Sequence, residues 1–151
     1  MTRRHALLVL PFMLGLLGPA SAVGQGVSVP QVTLFGVLAA PGGKGSDKQL
    51  AAITPQLQRL LPNHSFKLLG SRSSPMRIND TLSCPLGDGW GVEVTMMMPM
   101  DPEGKVNLRF TIHHVGEPSF SRVVRTPPNQ LFFSDITLAN GDRLVLGVGA
   151  R

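Results

Sequence analysis

Cysteine, tyrosine and charged residues are scarce in this sequence. Its 151 residues include one cysteine, one tryptophan and no tyrosine, and 15% of them are charged. A single cysteine has no partner within the chain, so no disulfide framework holds the fold together. Low charge combined with 42% hydrophobic residues is the opposite of the balance that is typical of disordered chains. We expect one folded domain, because the length is that of a single domain.

The motifs of common catalytic and nucleotide-binding sites are also missing. The chain has no G-x-S-x-G elbow, no H-E-x-x-H, no P-loop and no G-x-G-x-x-G. His113 and His114 are adjacent on a predicted strand and therefore point to opposite faces, so they cannot both bind one ion. No two acidic residues have a spacing that indicates acid and base roles. The sequence predicts a protein that is not an enzyme and that carries no cofactor.

Residues 1–22 have the three parts of a secretory signal peptide. Two arginines precede an apolar run from Ala6 to Leu17, which is too short to span about 30 Å of hydrocarbon as a helix, and Ala20 and Ala22 suit cleavage. An uncleaved anchor is the alternative interpretation. We expect the mature chain to begin at Val23 and to be exported to the periplasm, the cell envelope or the extracellular space. No later stretch is long and apolar enough to predict a transmembrane segment.

The charge that remains after export is small. Without Arg3 and Arg4 the chain has 12 basic and 9 acidic residues, and the basic ones are scattered singly. Nucleic-acid binding needs basic clusters. The sequence therefore excludes nucleic acid as a partner.

Residues 23–30 are predicted to be a flexible lead-in, and residues 31–151 a single α+β domain. Within it, one amphipathic helix is predicted over residues 47–61, with apolar residues at spacings of three and four. Pro55 interrupts this pattern, so the helix is either kinked or made of two pieces. The apolar positions are Leu50, Ile53, Leu57, Leu60 and Leu61.

The rest of the domain is predicted to be strand. Residues 90–98 and 105–112 alternate apolar and polar side chains around a turn at Asp101–Gly104, which predicts a β-hairpin. The apolar side chains of the two strands lie on the same face only if the two residue numbers of each cross-strand pair add up to an even number. If the two numbers add up to 204, Met98 pairs with Val106, Met96 with Leu108, Val94 with Phe110 and Val92 with Ile112. The other predicted strands cover residues 31–39, 65–69, 76–78, 81–84 and 119–125.

A second hairpin closes the chain. Asn140-Gly141, a strong hairpin signal, separates residues 131–138 from residues 143–148. The last strand is apolar on both faces, which indicates a central or doubly covered position. The fold class predicted is α+β: a mainly antiparallel β-sheet, curled toward a sandwich or a barrel, with the N-terminal amphipathic helix packed on it.

Four segments of the chain resemble a known group of proteins. Residues 32–39, 55–69 and 126–133 and the closing residues 146–151 are similar in order and type to short exported proteins of unassigned function from planctomycete bacteria. The resemblance implies a location in the bacterial envelope. It implies no catalytic residues, because that group has no assigned activity.

Two functions follow as expectations. The first is a non-catalytic exported envelope or periplasmic protein that acts as an interaction or structural module, whose partner is another protein or a second copy. The alternative is a small periplasmic copper-binding protein, because soft thioether ligands select Cu(I). Its ligands would be Met96, Met98, Met100 and His114. Methionine is also ordinary core filler, so burial of Met96 and Met98 beneath the helix would argue against copper.

Overall fold

The computed structural model describes residues 29–151. The predicted signal peptide and residues 23–28 of the predicted lead-in lie outside the described residues. No helix in the described part is long and apolar enough to cross a membrane. Eight strands and two short helical segments follow one another along it: β1 (Gln31–Pro41), a 3-10 turn (Lys48–Leu50), α1 (Thr54–Leu60), β2 (His64–Pro75), β3 (Thr81–Gly87), β4 (Trp90–Met98), β5 (Val106–His114), β6 (Phe120–Thr126), β7 (Leu131–Thr137) and β8 (Arg143–Ala150).

The strands form two four-stranded antiparallel sheets. Sheet I has the order β2-β1-β8-β7, and sheet II has the order β3-β4-β5-β6. The prediction of a mainly antiparallel β-fold is therefore confirmed, and helix makes up little of the described residues. The closing hairpin predicted around Asn140-Gly141 is also confirmed, since β7 and β8 pair directly.

One hydrophobic core joins the two sheets. Leu34 and Leu144 from sheet I belong to the same buried cluster as Leu108 and Phe110 from sheet II. Each strand contributes alternate residues, because successive side chains of a strand point to opposite faces. This core explains the period-2 patterns of β4 and β5 in the sequence.

A second cluster lies on the opposite face of sheet I. Leu50 and Leu57, which come from the 3-10 turn and α1, are buried there with Phe35, Val37 and Val145. Sheet I is thus covered on both faces. The prediction for the last strand is confirmed, because β8 lies between β1 and β7 and is buried from Leu144 to Ala150.

The single amphipathic helix predicted over residues 47–61 is wrong. The structure has a three-residue 3-10 turn and a separate seven-residue helix, and Leu60, assigned to the buried face, is exposed. Pro55 is the physical reason: it has no N–H to continue a helix from the preceding turn but fits the first turn of a new one. The Thr54 hydroxyl donates instead to the carbonyl of Leu50, at 2.8 Å.

The strand predicted at residues 65–69 is too short, and the strand predicted at residues 76–78 is wrong. β2 continues through Gly70 to Pro75, and residues 76–78 are not strand. Gly70 marks a close approach rather than a strand end: a Cβ there would lie 2.7 Å from the carbonyl oxygen of Pro85 in β3.

The β4–β5 hairpin keeps the predicted register over most of its length. Val92 pairs with Ile112, Val94 with Phe110 and Met96 with Leu108. Beyond Met96 the prediction fails, because the register shifts and Met98 pairs with Asn107 instead of Val106. A bulged strand turns its following side chains to the other face.

Candidate functional site

The structure separates the four predicted copper ligands. The bulge at Met97 leaves Met96 in the core, 1% exposed, and puts Met98 on the surface, 57% exposed. Met100 is half-buried and packs against the core. His114 pairs with Trp90 at the far end of the hairpin.

The distance along β4 is too great for His114 to join Met96. Trp90 and Met96 are six residues apart on the strand, which at about 3.3 Å per residue places them about 20 Å apart. His114 and the methionines therefore belong to two different sites.

The first site is an apolar pocket at one end of sheet II. Its volume is about 540 Å³, and the residues that line it include Met76, Met96 and Met100. We call it the methionine pocket. The remaining lining residues are Val29, Pro30, Arg77, Ile78 and Pro99.

Backbone hydrogen bonds connect the segment after β2 to β4 and to the residue before β1. The N–H of Asn79 donates to the carbonyl of Met96 at 2.8 Å, and the N–H of Met96 donates to the carbonyl of Asp80 at 3.1 Å. On the other side, the N–H of Met76 donates to the carbonyl of Pro30 at 3.0 Å. The segment after β2 is thus fixed both to β4 and to the residue before β1.

Asp101 fixes the turn that carries Met100. Its Oδ1 accepts hydrogen bonds from the N–H groups of Glu103 and Lys105, at 3.0 and 2.8 Å, while its Oδ2 accepts one from the Arg125 guanidinium in β6. The hydrogen bond from Arg125 lowers the pKa of Asp101, and the same contact raises the pKa of Arg125. Met76 and Met96 make backbone hydrogen bonds of their own, and Met100 directly precedes the hydrogen-bonded Asp101.

The second site is a polar and aromatic cleft of about 470 Å³ between β6 and β7. The Trp90 and His114 rings stack in it, with centroids 4.3 Å apart and planes 19° apart. His114 Nε2 lies 3.1 Å from the carbonyl of Asp88, which can only accept, so Nε2 carries the proton. Nδ1 lies 3.5 Å from the Glu117 carboxylate. The Nε2 hydrogen bond and the stacking on Trp90 hold His114 in the wall of the cleft, while its Nδ1 is buried without a hydrogen-bond partner among the described residues.

Other candidate ligands in the described residues do not gather into a site. No group of three His, Cys, Asp or Glu side chains in residues 29–151 could hold a metal ion. Cys84 is buried in the core, and burial raises the pKa of its thiol, which Arg72 opposes only in part. His113 lies over Gly91 on the other face of sheet II from His114, as predicted for adjacent residues of a strand.

Sequence reasoning missed Met76. It was assigned to a short strand, whereas it lies in an irregular segment after β2, where its N–H donates to the carbonyl of Pro30. Its separation of 20 residues from Met96 carries no periodic signal. The local sequence offers a single methionine after Pro75, which ends β2. Methionine is common in hydrophobic cores, so this feature does not identify a pocket residue.

The free edge of sheet II is the third notable surface. Among the described residues β6 pairs only with β5, and its Phe120 and Val123 are 56% and 57% exposed. Arg122 and Arg125 are also exposed on this strand. The edge strand therefore presents two exposed apolar side chains, of which Val123 lies between the two arginines.

Comparison with protein-family models, with curated proteins and with solved structures gives no match to this chain.

Proposed function

We propose that the chain is a non-catalytic protein of the bacterial periplasm or cell envelope that binds another protein, or a second copy of itself, through the edge of β6. The single observation that carries this proposal is the pair of exposed apolar residues, Phe120 and Val123, on an edge strand. An edge strand offers unpaired N–H and C=O groups to an extended segment of a partner.

The two residues would give such a partner contacts on both sides of the added strand. Phe120 is in register with Ile112, whose side chain faces the shared core, and Val123 is in register with Arg109 on the opposite face. The shared core of the two sheets supports a sandwich-like arrangement in which β6 and β7 form one margin. A partner strand would extend sheet II at that margin.

The other edge strands are less suited to this role. β2 and β3 lie against each other, and β3 contains Pro85, which has no N–H to donate. In β7, Leu131 and Phe133 are partly buried in the outer cluster of sheet I. β6 has no proline and the two most exposed apolar residues among the edge strands.

Binding by the mature protein tests the proposal. Immobilised protein starting at Val23 is exposed to an envelope extract of the source bacterium, and its self-association is followed by sedimentation velocity. We expect one defined species, a partner or a dimer, that Val123→Lys abolishes, since a charge on an edge strand opposes pairing. Ser83→Lys on β3 adds the same charge at the opposite edge and should leave binding intact.

Two results would contradict the proposal. One is a mature protein that is monomeric and retains no species from the extract. The other is binding that survives Val123→Lys.

Export is a separate part of the proposal, supported by the composition of residues 1–22. We expect cell fractionation to place the protein outside the cytoplasm, and N-terminal sequencing to give Val23 as the first residue. A cytoplasmic protein that retains Met1 would contradict export.

A further inference from the structure

We propose that the partner bound at the edge of β6 is an extended segment of another protein that carries a large apolar residue and an Asp or Glu two positions apart. The apolar side chain enters the cleft between β6 and β7 beside Phe120, and the carboxylate binds Arg122. This inference rests on the proposed function, since it names the chemistry of the partner at the same edge. The observation that carries it is that Phe120 and Arg122 share one face of β6 and both line that cleft.

β6 turns one face toward the core between the two sheets, and the cleft opens over half of that face. The residues of this face, each in register with a buried residue of β5, are Phe120, Arg122, Val124 and Thr126. Val124 and Thr126 are buried, and the Thr126 hydroxyl donates to the carbonyl of Gln130, just before β7, at 3.2 Å. Phe120 and Arg122 are exposed. The sheets therefore meet over the C-terminal half of β6 and leave a gap over its N-terminal half.

The cleft has room for a large apolar side chain, since its volume is about 470 Å³. Ile112, which belongs to the core, and Ile136, which packs against the core, are among its lining residues. A strand added to β6 would place every second side chain on this face, because strands have a period of two. An apolar side chain that enters the cleft would extend the existing core, and the burial of its surface favours binding.

Arg122 has no carboxylate partner among the described residues. Arg125, the other arginine of β6, binds Asp101, whereas Arg122 forms no ion pair within residues 29–151. The guanidinium carbon of Arg122 lies 5.4 Å from the centroid of the Phe132 ring in β7. Attraction to the ring holds this cation at the cleft. A guanidinium can bind a carboxylate through two parallel hydrogen bonds, so Arg122 favours an acidic residue in the partner.

Two acidic residues also line the cleft, Glu117 and Asp135. Asp135 pairs with Arg143 of β8. Glu117, whose carboxylate lies 3.5 Å from His114 Nδ1, pairs with no lysine or arginine of the described residues. Its charge opposes an acidic partner in part, so Glu117→Gln should strengthen the binding of an acidic segment modestly.

Charge also distinguishes another protein from a second copy of this chain. β6 contains two arginines and no acidic residue. A second β6 paired with the first would supply no carboxylate to Arg122 and would add like charges to the edge, which opposes pairing. An acidic segment of another protein supplies the opposite charge.

Two matched peptides test the chemistry of the partner on the mature protein. Both are short, threonine-rich peptides with one phenylalanine, and they carry either glutamate or lysine two positions from it. Each is titrated while NMR follows the backbone amides and the indole N–H of Trp90. We expect the glutamate peptide to shift the signals of β6 and Trp90 and to bind about tenfold more tightly than the lysine peptide. No binding of either peptide, or equal affinity for both, would overturn the inference.

Charge variants of the protein test the role of Arg122 in the same titrations. Arg122→Glu should reverse the preference between the peptides, and Arg122→Lys should keep it. Arg59→Glu makes the same change of charge at an exposed position of α1 and should have no effect. A preference that survives Arg122→Glu, or that Arg59→Glu reverses equally, would overturn the inference.

A third pair of variants tests the cleft. Phe120→Ser should weaken binding of the glutamate peptide, because it removes the apolar surface beside the inserted side chain. Val115→Ser removes an exposed apolar residue that does not line the cleft and should bind like the wild type. Both residues are exposed, so the fold should survive. Equal affinities in the two variants would show that the peptide does not enter the cleft.

The inference and the proposed function can fail separately. A dimer paired through β6 would contradict only the inference, and so would an extract species that Val123→Lys loses but Arg122→Glu retains. A mature protein that binds the glutamate peptide but is monomeric and retains no species from the extract would contradict only the proposed function.

Discussion

The two sheets have the same number of strands and differ in how many faces are covered. Sheet I buries one face against sheet II and the other beneath the 3-10 turn and α1. The outer face of sheet II has no such cover in residues 29–151, and it carries polar pairs such as Thr81 with Thr95 and Thr111 with Ser121. Under the proposed function a partner therefore binds sheet II and not sheet I, because both faces of sheet I are already buried within the protein.

The largest expected effect on stability comes from removing a side chain that covers the outer face of sheet I. Leu57 of α1 is fully buried against sheet I, whereas Leu60 on the same helix is 51% exposed. Leu57→Ala should lower the free energy of unfolding by about 2–5 kcal/mol, as for other buried leucines. The matched Leu60→Ala should change it by less than about 0.5 kcal/mol. Urea denaturation measures both, and equal effects would show that α1 does not seal the sheet.

Glycines on the outer faces provide a second contrast. A Cβ on Gly147 would lie 2.1 Å from the Phe35 ring, which is packed in the outer cluster of sheet I. Gly147→Ala should therefore cost about 1–3 kcal/mol, the usual range for overpacking.

Gly91 is the control for that prediction. Its Cβ would lie 2.3 Å from His113 Nε2, but this ring is on the uncovered face of sheet II and can turn toward solvent. Gly91→Ala should cost less than Gly147→Ala in the same denaturation assay. A larger cost for Gly91→Ala would mean that the outer face of sheet II is packed.

Asp101 links stability to pH within sheet II. Its folded pKa is lowered, first by the hydrogen bond from Arg125, so its contribution is present above the unfolded pKa of about 3.9 and is lost as pH falls through the folded value. Urea midpoints between pH 2 and pH 6 should fall at acid pH more steeply for the wild type than for Asp101→Asn. Parallel curves would show that this contact adds no pH-dependent stability.

The smallest effect is expected from a polar pair on the open face. The Thr81 and Thr95 hydroxyls lie 2.9 Å apart and are accessible to water. Replacing both by valine keeps the β-branched shape and removes one exposed hydrogen bond, so unfolding free energy should change by less than about 1 kcal/mol. A change as large as that of Leu57→Ala would show that this face is buried by a contact in solution.

The sequence allowed prediction of the elements whose burial has a regular period. Alternation in β4 and β5 predicted their strands, their shared face and the pairing of Val94 with Phe110. Apolar residues on both faces predicted the central place of β8. These features follow from local side-chain geometry, which repeats along the chain.

The errors lie where that period is interrupted. The bulge at Met97 sits in a run of three methionines, so no change of residue type marks the extra residue. Pro55 was recognised as an interruption, but the two short pieces it leaves could not be distinguished from a kinked helix by spacing alone. The methionine pocket depends on hydrogen bonds between distant segments, such as Asn79 to Met96, which have no sequence signature.

The most direct test of the contrast between the sheets is site-specific photo-crosslinking in cells of the source organism. One photoreactive residue replaces Val123 on β6, and another replaces Gln56, which is also exposed but lies on α1, the helix that covers sheet I. We predict a discrete crosslinked species from position 123 and none from position 56. Crosslinks of equal yield from both positions, or from position 56 alone, would contradict recognition through the edge of sheet II.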